Sequence, residues 1–517
     1  MSYIRHKTRG SKTYAYEITA YYDKKLKRQR QKTKYLGVVT ESGIERKRIN
    51  SVPRSVFDYG DVAVTYRLAN DTKIADTLTE VYGREVTNML LALASNKLIR
   101  ETALTNFKTW YEGTCLKTLT PLHNPSSQNL SRALDTIGED DTSMARFFNT
   151  WKDCVDPKRN IAYDLTSVSS SSDQINSLEY GKNRDHDGLP QINLGLVSSL
   201  DAHLPLYFKT FPGSINDVVT MKNLTTEIKA MEIQNVRYIL DRGFCSKKNI
   251  FDMVSAGIDF VMGLSYRFKE AQNIISKNRL NANSPDRAVM FRGKIQYVGE
   301  GVATIGDVKV NYYHFFDEER RARETETFYT SLLKIESELN GKVMKDYENP
   351  RKVFEDKTKN FKSFFKWSFN DGVLHLSRKK NAISRRTNRM GKLILLYTGD
   401  IDWETVLSFY RDRDQIEKLF RIFKTDIGGT PMRVHKETTM KGSLLVSFIS
   451  LVMYADLLNR MRASKLTEKY SVERLFLELL KLKKVQLVDG NEIITECTKR
   501  IRDILVGLGL EDMVPTN

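Results

Sequence analysis

Residues 160 to 265 constrain the fold most, because their apolar periodicity changes in a definite order. NIAYDLTSVSS reads as a strand and LPQINLGLVSSL as a second; LPLYFKTFPGS is a third, reached through a turn at Asp201-Ala202-His203. VVTMKNLTTEIKAME then reads as a helix, VRYILDRGF as a strand, SKKNIFDMVSAG as a helix and DFVMGL as a strand. Three sequential strands followed by helix and strand in alternation make an α/β sheet with an antiparallel meander at its start. Two acids hold strand positions in this order. Asp164 lies within the first strand, and Asp241 ends the apolar run Tyr238, Ile239, Leu240 before Arg242-Gly243. An isolated Asp after a strand is usually a helix N-cap or a turn residue. Asp173, Asp185, Asp201 and Asp217 lie in polar loops or turns, where Asp needs no special reason.

That element order is the ribonuclease-H-like one. A second feature comes late in the chain, in FYRDRDQIEKLFRIFK (409 to 424). At roughly 100° per residue and relative to Tyr410, Arg413 falls near −60°, Glu417 near −20° and Lys424 near −40°. Phe409, Ile416, Phe420 and Phe423 fall at roughly −100°, −120°, −80° and −140°. The carboxylate therefore sits at the edge of a core, flanked by two cations and a phenol. Surface i,i+4 ion pairs are the common explanation for such charges.

Composition bears on the partner. The 517 residues, at about 150 per domain, make three or so units. The net charge of +18 points to a polyanion, and nucleic acid fits better than a membrane surface. Arg5 to Lys34 holds eleven Lys and Arg against Glu17 and Asp23, half of the net charge, in alternation with aromatic residues that reads as a basic β-hairpin turning at Asp23-Lys24-Lys25. Cys115, Cys154, Cys245 and Cys497 show neither CxxC spacing nor a His partner at zinc-ligand distance, so they read as buried thiols of a reducing compartment. MSYIRHKTRGSKTY has no apolar core of a signal peptide. SLLVSFISLVMYADLL (443 to 458) is shorter than the roughly 20 residues of a membrane span and contains Asp456, so a buried helix is expected.

Between Asp241 and Glu417 lie 175 residues, far more than the sheet needs for its remaining strand and helix. VMFRGKIQYVGEGVATIGDVKVNYYHFF alternates like antiparallel strands, EERRARETETFYTSLLKIESEL reads as an exposed helix, and LSRKKNAISRRTNRMGK carries seven cations and no acid. The expected organisation is a basic β-hairpin (1–50), a helical DNA-binding domain (51–157) and a ribonuclease-H-like α/β core in two parts (158–266 and 393–460). A β-rich insertion (267–392) interrupts that core, and a helical C-terminal region (461–517) follows it.

The chain resembles the DDE transposases of bacterial insertion sequences. Tyr410, Arg413, Glu417 and Lys424 match their Y-(2)-R-(3)-E-(6)-K signature at every spacing, and NIAYDLTS and YILDRGF look like their first and second Asp blocks. The opening hairpin ending in KYLG, LPQINLGL, LPLYFKTFPGS and GKLILLYTGD are similar as well. Two departures stand out: Asp414 where Trp commonly follows the signature Arg, and His203 or Leu204 where a Gly is usual.

The resemblance implies a metal-dependent nuclease and polynucleotidyl transferase. Asp164, Asp241 and Glu417 would be catalytic and would ligate two Mg²⁺ ions, with Mn²⁺ as a substitute. Tyr410, Arg413 and Lys424 would hold the DNA end at its 5′ phosphate side. Trp367, in FFKWSFNDG, would stack on an unpaired base, although a core Trp is the commoner case. The partners implied are double-stranded DNA, both the terminal inverted repeats and the target, and a second copy in the DNA complex. The expected route is cut-and-paste through a hairpin, in the cytoplasm on the bacterial nucleoid and away from membranes. A ribonuclease-H-like nuclease that never joins strands, and a transposase-derived regulator that binds without cutting, remain open.

Overall fold

The computed structural model describes residues 2–23, 28–40, 43–45, 52–155, 160–181, 188–215, 219–221, 226, 236–345 and 347–515. The turn expected at Asp23-Lys24-Lys25 and most of the helix expected from VVTMKNLTTEIKAME fall outside these residues.

The basic opening segment forms an antiparallel sheet of β1 (Ser2–Arg9), β2 (Lys12–Asp23), β3 (Arg28–Thr40) and β4 (Gly43–Glu45), in that order. It is two strands wider than the expected hairpin. Arg28, Arg30, Lys32 and Lys34 occupy alternate positions of β3, share one face and are exposed. β5 (Pro53–Asp58) leads into the helices Gly60–Asp71, Ile74–Arg100, Leu104–Glu112, Ser127–Glu139 and Asp141–Val155.

β6 (Asn160–Ser169), β7 (Gln191–Ser199) and β8 (Pro205–Pro212) make an antiparallel meander, as their apolar runs require. His203, at φ 56°, makes the left-handed turn between β7 and β8. That is the conformation in which a Gly has no steric cost, so His203 is the departure from the family pattern that carries strain. β9 (Arg237–Leu240) runs parallel to β6, and β10 (Asp259–Gly263) runs parallel to β9.

Residues 267–392 divide into two parts rather than one β-rich insertion. β11 (Ala288–Phe291), β12 (Lys294–Ile305) and β13 (Val308–Phe316) belong to the main sheet. From the helix Glu318–Leu339 to Met390 a separate small core forms, with Phe328, Leu332, Phe354, Phe365 and Leu374 inside it. β14 (Lys342–Val343), β15 (Phe365–Asn370) and β16 (Val373–Arg378) cover this core together with the helices Pro350–Thr358 and Lys380–Thr387. β17 (Lys392–Tyr397) then returns and inserts between β13 and β10, so the sheet reads β11-β12-β13-β17-β10-β9-β6-β7-β8. Its LILL run is apolar on both faces, as a strand with neighbours on both edges and cover on both faces must be.

The C-terminal region is not wholly helical. β18 (Lys483–Leu487) pairs with β19 (Glu492–Ile494) on one side and with β5 on the other. Buried Val485 and Leu487 alternate with less buried Lys484 and Gln486, a period of two that the sequence reading passed over. The apolar run at 443–458 lies in the helix Glu437–Ala463, which is buried against Ile74–Arg100 and Ser127–Glu139. Of the four free cysteines, Cys115 and Cys245 are buried, Cys497 is half-buried and Cys154 is exposed, so the expectation of four buried thiols holds for two.

Candidate active site

Strand register brings the two aspartates together. Tyr163 of β6 lies opposite Leu240 of β9 in the parallel pairing, and Asp164 and Asp241 are the next residue on each strand. β9 stops there while β6 continues to Ser169, so Asp164 and Asp241 stand where the parallel pairing ends. In open α/β sheets the carboxyl ends of strands are where ligand sites form. Asp164 Oδ1 accepts the Leu165 N–H at 2.8 Å. Asp241 occupies the N-cap position of a 3₁₀ turn (Arg242–Phe244), yet its side chain makes no cap hydrogen bond there. The usual reason for an Asp after a strand is therefore missing.

The segment 409–424 is two helices, Trp403–Asp412 and Asp414–Thr425, meeting at Arg413. Arg413 keeps helical torsions, φ −53° and ψ −28°, and its carbonyl accepts from Ile416 N–H at 2.9 Å, an i→i+3 bond that tightens the junction. Buried Ile416, Phe420 and Phe423 anchor the second helix. The stripe inferred from the sequence survives the break, and Tyr410, Arg413 and Glu417 reach the strand ends together.

Arg413 stands at the point where the carboxylates converge. Its Nη2 is 2.9 Å from Glu417 Oε1 and 3.7 Å from Asp241 Oδ1, and its Nη1 is 3.7 Å from Asp164 Oδ2. The side chain is buried, only 6% of the residue being exposed. It is thus not one of the exposed surface cations that i,i+4 pairing usually involves. Burial works against its charge, but Asp241, Tyr410, Asp164 and Glu417 outweigh that and hold its pKa above the ordinary guanidinium value. Tyr410 donates from Oη to Asp241 Oδ1 at 3.2 Å, and burial first and the Asp241 charge second push its hydroxyl up to about 12.

The carboxylates grade from hidden to open: the side chains of Asp164, Asp241 and Glu417 are 13%, 41% and 57% exposed. Their donor set suits a hard divalent cation, since all are carboxylate oxygens converging on one positive charge. With Arg413 between them, no three His, Cys, Asp or Glu side chains among the described residues are gathered at metal-ligand spacing. The donors fit the ion; the guanidinium holds the space between them.

Lys424 lies in the last turn of the second helix, half-buried and two turns, roughly 10 Å, beyond Glu417. Trp367 lies on the surface of the small separate unit: it sits on β15, 37% exposed, with its ring stacked on buried Phe354 at 5.5 Å. The sequence reading missed Gly263. A Cβ there would stand 2.7 Å from Tyr410 Oη, so only Gly lets the phenol reach Asp241. A Gly inside the strand DFVMG is the signal that marks such a close approach. Arg242, next after Asp241, turns instead onto the Tyr266 ring at 4.6 Å.

A search of curated proteins gives no match. Among solved structures, the cryo-EM structure of a piggyBac transposase synaptic complex with hairpin DNA is similar at a TM-score of 0.37 and 10% identity, over 81% of this chain and 79% of that one. The family model described as the transposase DDE domain matches residues 157–453. Since that match takes in both aspartates, Glu417 and the arginine between them, and extends over more than half of the chain, the protein belongs to the transposase DDE domain family.

Proposed function

We propose that this chain is the transposase of a bacterial insertion sequence, in the subgroup with the Y-(2)-R-(3)-E-(6)-K signature. On this reading it binds the ends of its element, hydrolyses a phosphodiester there and joins the freed 3′-OH to target DNA, by cut-and-paste with a hairpin on the second strand. The observation that carries the proposal is the meeting of Asp164, Asp241 and Glu417, from two strands and a late helix, around one guanidinium. The strand order β8-β7-β6-β9-β10, antiparallel and then parallel, supports a ribonuclease-H-like core.

Asp164, Asp241 and Glu417 would hold two Mg²⁺ ions, or Mn²⁺ in their place, which when bound stabilise the attacking and leaving oxygens of an in-line displacement. Tyr410 fixes one oxygen of Asp241 by its hydrogen bond and so orients the other. Arg413 carries a planar fork of donors suited to a phosphate at the cut end. Lys424 adds a point charge further along the same helix, towards the 5′ phosphate side. Trp367 is exposed enough for an unpaired base to stack on it. The basic sheet and the helices that follow would grip the terminal repeats, and two copies would meet on the DNA, in the cytoplasm at the nucleoid.

The test is one reaction containing labelled element ends, Mg²⁺ and a target plasmid. Joined product is expected. Nicking without joining would make the chain a nuclease, and a shifted but uncut band would make it a DNA-binding regulator.

A further inference from the structure

Arg413 is placed oddly for a residue whose only task is to hold DNA. Its guanidinium lies within 4.0 Å of four carboxylates, those of Asp164, Asp241, Asp414 and Glu417. Yet its contacts are loose. Only the Glu417 contact has hydrogen-bond geometry, and Nε and Nη1 are buried without a hydrogen-bond partner among the described residues. A structural arginine in a buried site normally saturates its fork in bidentate pairs, because an unpaired buried donor costs free energy. This one is held by charge, against the Tyr410 ring at 5.4 Å, with donors to spare.

We propose that Arg413 is an internal counter-ion that keeps the carboxylate site closed to divalent cations until a DNA phosphate draws its guanidinium away. Metal binding and DNA-end binding are thereby coupled through one side chain. The inference rests on the reading of Asp164, Asp241 and Glu417 as metal ligands.

Space and charge both demand the coupling. Mg²⁺ sits about 2.0–2.1 Å from its oxygens, so ions ligated by these carboxylates need the volume that the guanidinium fills. With Arg413 in place, three carboxylates already have a positive partner and gain less from a cation. A terminal phosphate offers Arg413 an alternative on the open side, where Glu417 and Asp241 are the more exposed carboxylates. It would engage Nε and Nη1, neither of which makes a hydrogen bond in this arrangement although Nη1 lies 3.7 Å from Asp164 Oδ2. Once the guanidinium shifts, the carboxylates lose their counter-ion together, and their affinity for divalent cations rises. Linkage makes the effect reciprocal, so metal must tighten phosphate binding by the same factor. The biological consequence is a nuclease site that stays unloaded away from its DNA ends.

The test is Mn²⁺ titration of the full chain, followed by electron paramagnetic resonance, in three states: protein alone, with a short pre-cleaved duplex bearing a 5′ phosphate, and with the same duplex bearing a 5′ hydroxyl. The phosphorylated end should tighten Mn²⁺ by about tenfold over the hydroxyl end, within the usual range of coupling between two sites. Arg413→Gln should bind Mn²⁺ about tenfold more tightly than wild type without DNA, and should lose the phosphate dependence. Equal Mn²⁺ affinity of wild type in all three states, or no gain in a folded Arg413→Gln, would overturn the proposal. If near-ultraviolet circular dichroism shows that Arg413→Gln has lost its fold, the three wild-type titrations decide alone. The double variant Asp164→Asn/Asp241→Asn separates the two levels. Mn²⁺ binding unchanged in it sinks the metal-ligand reading itself, whereas binding lost in it but indifferent to phosphate and to Arg413 sinks only the coupling.

Discussion

The Tyr410 hydroxyl donates to Asp241 at 3.2 Å, joining residues 169 positions apart in the chain. This bond ties the helix Trp403–Asp412 to the end of β9 and holds Asp241 where strand register has already set it beside Asp164. Because burial and the Asp241 charge push the Tyr410 hydroxyl up to about 12, it remains a donor throughout the neutral range. The phenol's donor is therefore directed at a carboxylate in this structure, beside the DNA contact that the resemblance assigns to Tyr410.

Tyr410→Phe keeps the ring and removes only the donor. The melting temperature should move little, since one partly solvated hydrogen bond is worth about 1 kcal/mol. Single-turnover cleavage of labelled ends should fall by about ten- to a hundredfold if Asp241 loses its orientation. Cleavage at the wild-type rate would reduce the bond to a bystander.

Gly263→Ala attacks the same bond from beneath. The new methyl would stand 2.7 Å from Tyr410 Oη and 3.4 Å from Arg242 Cβ, so the phenol must withdraw. Overpacking of this kind costs about 1–3 kcal/mol. Thermal unfolding and cleavage should both suffer, and in the double variant with Tyr410→Phe the two cleavage defects should fail to add. Additive losses would place the effect of Gly263 elsewhere.

Asp164→Asn, Asp241→Asn and Glu417→Gln each remove one charge without changing shape. Cleavage should be lost in all three while binding of the element ends persists. Folding should survive, because Arg413 retains at least two carboxylate partners in each variant. Gel shift and cleavage on the same preparations check this, and near-normal cleavage in any one variant would release that residue from the triad.

Much of the core, and the common side on which Tyr410, Arg413 and Glu417 lie, could be read from the sequence because local patterns carried them. The runs around Asp164 and Asp241 are strands in their own right, and 100° arithmetic placed Tyr410, Arg413 and Glu417 on one side. What escaped depends on distant partners. Nothing local in KKVQL says that it will pair with Pro53–Asp58, more than 400 residues earlier. Nothing local in VKVNYYHFF distinguishes a strand of an insertion from one that extends the main sheet; that is decided by β17, from Lys392 onward, pairing with it. The inward turn of Arg413 was equally hidden, since helix geometry gives a direction but not the carboxylates waiting there. His203 departs from the pattern of the resemblance, and its positive φ is the conformation that a Gly adopts without steric cost.

His314 gives the structure an acid limit. The side chain is buried on β13 and its ring covers Gly299 of β12, where a Cβ would meet it at 2.1 Å. Burial first, then the Arg287 charge, lowers its pKa to about 4. An unfolded histidine takes up its proton near pH 6.5, so the folded state's refusal contributes stability above that pH that is lost as pH falls through about 4. The loss should amount to about 3 kcal/mol between pH 7 and pH 4. In His314→Gln the difference in urea stability between these two pH values should shrink by about that amount, and an unchanged difference would assign the acid sensitivity to other groups.

The opening sheet offers two sets of cations, and register separates them. Lys34 lies opposite Glu17 and Arg5 opposite Tyr16, so the β3 set of Arg28, Arg30, Lys32 and Lys34 and the β1 set of Arg5, Lys7 and Arg9 point to opposite faces. Alternate residues of a strand repeat every 6.6–6.8 Å or so, which makes the β3 set an evenly spaced row of charges suited to a phosphate backbone. Replacing all four with Gln should reduce the slope of log affinity against log salt by up to about 3.6, at about 0.9 per released counter-ion. The same treatment of Arg5, Lys7 and Arg9 should change the slope by less than about 1 if only the β3 face meets DNA. Exposed side chains carry both sets, so neither replacement should disturb folding, and thermal unfolding provides that control. Fluorescence anisotropy of a labelled element end, measured from low to physiological salt, decides between the faces. Equal changes from the two sets would mean that DNA wraps the sheet, and no change from either would move the main phosphate contacts to the helices after β5.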